Sequence, residues 1–290
     1  MKRTITTIAA ALICWMASVS TAVLADDEVK PTSGRSPLLP NFYPAAGHWI
    51  SETNYSEVKL TLNSSWSTQL QKVEQSLRYG ITDQTEVVVA QPYAIKTNIE
   101  ELGDFYNPLI GIEHRLDISD SENIYAVGLS IRPELSYAGY QPSLKQQQIF
   151  SKLSWKLGSN LWLGLQGKYT NTQQNTIVST SEDFSIQFNV SSSWDATSAL
   201  FTIGLSKTPD FIARVLYRNP IALSSIESEI SPIATTSISH RFGNSLYGIF
   251  DFSWQSRKYS ITYLGQYQNL GSSINTTVIQ TVTARLLKEF

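Results

Sequence analysis

The chain has 290 residues, with 22 Lys and Arg against 24 Asp and Glu and a formal net charge of −2. The basic residues Lys2 and Arg3 lie in the first 25 residues, so the remainder of the chain is more acidic still, which excludes a broadly basic nucleic-acid binder. The single cysteine, Cys14, lies in the same leader, and without it no disulfide, thiolate chemistry or cysteine metal site is available.

Met1-Lys2-Arg3 is a short basic start, followed by an apolar, small-residue run from Ile5 to Leu24 and then Ala25-Asp26-Asp27. This pattern predicts a secretory signal peptide over 1–25, cut after Ala25. The polar and small residues from Ser18 to Thr21 leave the run too short for a membrane anchor. Ile13 before Cys14 argues against lipoprotein processing. Asp26 to Pro44 carries proline, serine and aspartate without periodicity. It reads as part of a periplasmic N-terminal tail over 26–46, with a short plug in a barrel lumen as the sharper alternative. Beyond the leader no stretch approaches eighteen uninterrupted apolar residues, so no transmembrane helix is predicted.

From Gly47 the chain becomes a succession of strand signals of about ten residues separated by turn residues. Val73, Leu77 and Tyr79 share a parity, and Val87, Val89 and Tyr93 follow. Ile110, Ile112 and Leu116 alternate with Gly111, Glu113 and Arg115. Tyr125, Val127, Leu129 and Ile131 alternate with Ala126, Gly128, Ser130 and Arg132. The pattern continues through Ile149–Leu157, Leu161–Tyr169, Phe184–Val190, Phe201–Leu205 and Leu246–Trp254. A change of parity after Trp254 predicts a bulge or turn near Ser256. No helical period competes over a comparable length. Strand ends on the apolar parity carry Tyr79, Tyr93, Trp155, Tyr169, Trp254 and Phe290. Aromatics at both strand ends suit the two membrane–water boundaries, which a soluble sandwich core does not require.

Short connections such as Thr82-Asp83-Gln84 and Ser159-Asn160 alternate with longer ones such as 97–104 and 136–142. That is the asymmetry of short periplasmic turns and longer outer loops. The reading is therefore all-β: a transmembrane antiparallel up-and-down β-barrel over 47–290 in the bacterial outer membrane. Twelve strands are expected, or fourteen if Lys207–Asp210 and Gln255–Lys258 are turns. The last strand ends on Phe290, read as an insertion signal for the barrel assembly machinery. Lys288, two residues earlier, is less usual there.

On the polar parity the basic residues are Lys72, Arg78, Arg115, Arg132, Lys152, Lys156, Lys168, Arg214, Arg218 and Arg285. Against them stand Glu74, Glu86, Glu113, Glu134 and Asp251. The excess of basic charge inside a net-negative chain reads as a charged pore lining with a weak anion preference. A packed network of ion pairs filling a narrow barrel is the equal alternative. His48, His114 and His240 are the only histidines, the last two on the apolar parity. No Gly-x-Ser-x-Gly, HExxH or aspartate-rich calcium loop is present, so neither catalysis, a metal nor a cofactor is predicted. The acidic loop clusters Glu100-Glu101 with Asp104, and Glu182-Asp183, read first as solvated loops, with divalent-cation bridges to lipopolysaccharide as the lesser alternative.

Leu77-Arg78-Tyr79-Gly80-Ile81-Thr82-Asp83-Gln84-Thr85-Glu86, ending at Gln91-Pro92-Tyr93, resembles a hairpin of outer-membrane proteins grouped with the meta-pathway of phenol degradation. Gly103-Asp104 followed by Leu109–Leu116 is similar to the next strand of that family. The resemblance covers about 30 residues. It implies a barrel that passes small, often hydrophobic molecules. The functional expectation is an outer-membrane channel for small solutes, hydrophobic or anionic ones among them, with lipid and lipopolysaccharide as surroundings. A structural or partner-binding barrel comes second and an outer-membrane enzyme last.

Overall fold

The computed structural model describes residues 36–64, 66–97, 108–117, 123–133, 144–174, 179–207, 223–243, 245–264 and 269–290. The predicted leader over 1–25 lies outside them. The strands are β1 (Trp49–Leu62), β2 (Trp66–Thr82), β3 (Thr85–Thr97), β4 (Leu109–Asp117), β5 (Ile124–Arg132), β6 (Leu144–Lys156) and β7 (Leu161–Gln174). Then come β8 (Ser179–Trp194), β9 (Thr197–Lys207), β10 (Leu223–Ser228), β11 (Ile230–Arg241), β12 (Leu246–Leu264) and β13 (Asn269–Glu289). From β1 to β9 each strand pairs antiparallel with its neighbour in the chain, β9 pairs with β11, and β13 returns to β1 to close the sheet. β10 and β11 pair with successive parts of β12, so they are two halves of one wall strand and the barrel has 12 strands. Among the described residues the ring of β1 to β9, β11, β12 and β13 is closed, which is what a sheet needs in lipid.

The burial pattern is inside out. Large apolar side chains are exposed, among them Leu129 at 46%, Ile203 at 46% and Phe250 at 54%. Their neighbours on the opposite parity, including Ser130, Thr202, Ser185 and Ser237, are buried. A water-soluble sandwich would reverse this. In a bilayer the apolar face meets acyl chains, and the small polar face lets the inner wall pack closely. Trp49, Trp194 and Phe242 mark the end where the chain enters and leaves the barrel, with the Trp49 and Tyr79 rings 4.4 Å apart. Tyr93, Tyr169 and Phe184 mark the other. His114 bonds Thr85 at 2.9 Å, and His240 stacks edge-on with Phe242 at 5.1 Å, both on the lipid parity near the entry end. The short turns at that end identify it as the periplasmic side.

Three features depart from the alternation. The lipid face of β1 and β2 carries Ser51, Thr53 and Gln75. They satisfy one another: Thr53 Oγ1 donates to Gln75 Oε1 at 2.6 Å, and Gln75 Nε2 donates to Ser51 Oγ at 2.9 Å. Second, β12 runs through Ser256 without a slip against β13. The irregularity expected near Ser256 sits instead in the neighbouring strand, where Glu229 separates β10 from β11 and its N–H bonds Lys258 O at 2.9 Å. Third, β12 and β13 have 19 and 21 residues. A tilted strand crosses the bilayer in about 9–11 residues, so this pair extends well beyond the outer girdle. At the seam Phe290 N donates to Trp49 O at 2.8 Å, Trp49 N donates to Phe290 O at 3.2 Å, and His48 Nδ1 lies 3.1 Å from Phe290 O.

Candidate functional site

Residues 36–46 were expected in a periplasmic tail, with a short plug in the lumen as the alternative. They lie inside the barrel instead. The reason is apolar surface: Leu38, Leu39, Phe42 and Tyr43 are all buried. Inward side chains that break the polar rule receive them. Leu38 and Phe42 pack on Ile50, Tyr247, Ile249 and Leu287, with the Phe42 and Tyr247 rings 5.6 Å apart at 81°. Leu39 packs on Ile124 and Trp162 from the other wall. Ser36 hydrogen-bonds Ser198 and, at 3.0 Å, Ser239. The segment thus crosses the periplasmic mouth from the β2–β3 turn to β9 and β11.

The β2–β3 hairpin anchors the other end. Ala46 N–H donates to Asp83 Oδ1 at 3.0 Å, and Gly47 N–H donates to Gly80 O at 2.8 Å. A Cβ at Gly80 would overlap the Ala45 carbonyl, so only glycine lets the segment come this close. Arg78 Nη2 donates to Phe42 O at 3.3 Å while pairing with Glu86 at 2.7 Å. Tyr43 OH donates to Glu113, and the Arg115 guanidinium sits 4.7 Å above the Tyr43 ring. Burial, and then the Glu113 charge, raises the Tyr43 pKa, so the phenol remains a donor. Arg78, Gly80, Asp83 and Glu86 are also the residues that carry the family resemblance.

The lower lumen is a compensated network. Lys152 pairs with Glu113 at 2.9 Å. Arg285 makes two bonds to Asp251, at 2.6 and 2.9 Å, and a third to Glu52 at 3.2 Å, tying β13, β12 and β1 together. Lys72 and Glu74 are 3.9 Å apart, and Lys156 lies 5.9 Å from the Trp162 ring. All of these residues lie on the inward register, as do Arg132 and Lys168. Glu134, Arg214 and Arg218 lie outside the described residues. Glu52, Arg241, Arg257 and Glu289 share the inward face and were missed, because their strand segments lack a clean apolar parity or sit at strand ends. Glu182 and Asp183, expected in a loop, lie instead in β8 with Asp183 on the inward face, because β8 begins at Ser179. The basic excess expected throughout is therefore confined, among the described residues, to a tier nearer the outside. There Lys168 and Arg257 face Asp183, while Lys72 and Arg132 lie above Glu74. Against the segment 36–46, and lined also by inward residues of β1 to β6, lies a cavity of about 410 Å³.

The Arg78–Glu86 pair is the most enclosed ion pair described, with the Glu86 side chain 3% exposed. Arg78→Ala should cost about 3–5 kcal/mol, because it strands a buried carboxylate. Urea unfolding in lipid measures this, and Arg78→Met with Glu86→Gln should recover most of the loss.

Neither a protein-family model nor a curated protein matches the sequence. Solved structures do match. The COG4313 outer membrane channel from Pseudomonas putida F1 superposes with a TM-score of 0.57 and 12% identity, covering 87% of this chain and 99% of that one. The NanC porin gives 0.45 and 10% over 79% of this chain and 98% of that one. The P. putida toluene transporter TodX gives 0.42 and 8% over 86% and 91%. The chain has the fold of a bacterial outer-membrane β-barrel, the fold of the COG4313 channel.

Proposed function

We propose that this protein is an outer-membrane channel for small solutes whose periplasmic mouth is closed by residues 36–46. One observation carries the reading: a short segment, separate from the wall, fills a lumen lined by polar and charged side chains. A barrel that needed only to be stable could pack wall against wall. Here the closure is supplied by a piece that can leave without breaking a strand pair. The known channel of like fold supports this. So does the hairpin Leu77–Tyr93, which favours membership of the family grouped with the meta-pathway of phenol degradation. The same closure is what favours the second reading, a structural barrel without transport. Single-channel recording of the full chain in planar bilayers separates them. Discrete conductance steps support the channel, and a silent membrane supports the structural barrel.

Assembly fits the same reading. Phe290 closes the seam on Trp49, and the barrel assembly machinery is proposed as a partner, with lipopolysaccharide as the outer surroundings. Deleting Phe290 should lower outer-membrane levels and leave unfolded chain in the periplasm, measured by fractionation in a protease-deficient host. Unchanged levels would count against a role in insertion.

A further inference from the structure

The wall above residues 36–46 is not what a water-filled pore calls for. Val88, Ala90, Leu109, Ile124 and Ala126 face the cavity from β3, β4 and β5, with Leu39 beside them. β3 is apolar on both faces here, since Val87 and Val89 hold the lipid parity. An inward apolar patch facing water gains nothing, but it suits an apolar body. Glu52, Glu74, Glu86 and Glu113 line the same cavity. Each carboxylate has about four lone-pair sites, so pairing with Arg285, Arg78 or Lys152 does not exhaust their capacity to accept hydrogen bonds. The volume of about 410 Å³ falls in the small-molecule range.

Charge narrows the occupant further. A cation approaching from outside first meets the tier of Lys72, Arg132, Lys168 and Arg257. An anion is drawn to that tier but then meets a cavity whose four carboxylates outnumber Arg78 and Lys152, the two basic side chains that line it with them. A neutral solute meets neither barrier. We propose that this cavity is the channel's solute site and that it takes a small neutral amphipathic molecule, its apolar body on the β3–β5 patch and a hydroxyl donating to the glutamates. This rests on the channel reading above.

Ligand-observed NMR on the refolded full chain in nanodiscs tests it with three probes of one shape: benzyl alcohol, benzoate and benzylammonium. Saturable binding of the alcohol is expected, with both ions weaker by about tenfold or more. Ala126→Phe, which fills the cavity, should abolish alcohol binding, while the outward Val127→Phe should not. Ala90→Phe is the second filling variant should the first fail to show the folded barrel's gel mobility. Either ion binding as tightly as the alcohol would overturn the proposal, as would alcohol binding that survives both filled cavities. Entry of small sugars into liposomes, measured on the same preparation, separates the two claims. Entry without saturable alcohol binding removes the site and leaves the channel. No entry with wild type and Phe42→Ala alike removes the channel reading and this proposal with it.

Discussion

Leu129→Arg is expected to destabilise the folded barrel by about 2–4 kcal/mol, the cost of a guanidinium near the bilayer midplane. Leu129 lies in the middle of β5, between Val127 and Ile131 on the same face. Its cross-strand neighbours are Ile112 on β4 and Ile149 on β6, both exposed apolar side chains. Neither neighbour can receive a charge. The inward comparison is Ser253→Arg on β12, where the side chain enters a polar lumen beside Thr281 and Thr235. That change should cost less and act on conductance. Ser130 is a poorer comparison, because it is buried and donates to Gln148 at 3.4 Å. Urea titrations of the two variants in lipid decide the matter. Equal costs would mean that the inward and outward faces are wrongly assigned.

Phe42→Ala should open the channel. Phe42 is 4% exposed and sits at the centre of the cluster with Leu38, Ile50, Tyr247, Ile249 and Leu287. Truncating a buried phenylalanine costs about 3–5 kcal/mol. Here the cost falls on docking of the segment and not on the strand pairs. At about 1.4 kcal/mol per factor of ten, the undocked fraction rises by about 10² or more. Open probability in planar bilayers should rise accordingly, while the variant keeps the folded barrel's gel mobility. A wild-type open probability in Phe42→Ala would show that residues 36–46 do not gate the lumen.

Strands β5 to β9 are legible in the sequence because large apolar and small polar residues alternate over most of their length, with Ile124 and Trp162 among the inward exceptions. The wall around the closing segment is not. β1 shows no apolar parity because Ser51, Thr53, Glu57 and Lys59 face outward, with Ser51 and Thr53 satisfied by Gln75. β3 and the start of β12 are apolar on both faces. Val87-Val88-Val89-Ala90 and Leu246-Tyr247-Gly248-Ile249-Phe250 hold lipid on one side and the closing segment or its cavity on the other. Paired apolar residues in a proline-rich tail, Leu38-Leu39 and Phe42-Tyr43, are the matching signal at the other partner. Neither half is decisive alone, since periodicity reports one interface at a time and these stretches serve two. The ion pairs are hidden for a different reason. Arg285 reaches Asp251 and Glu52 across strands that only barrel closure brings together, and Glu52 lies in the strand whose parity could not be read.

Whether uncharged solutes cross the membrane through the full chain decides between a channel and a sealed barrel. Proteoliposomes swelling in small sugars of increasing size report passage without any contribution from ions. A gated channel admits small sugars above the protein-free rate, admits them faster in Phe42→Ala, and excludes the largest. Liposomes that stay as tight as protein-free controls, with wild type and Phe42→Ala alike, would overturn the channel.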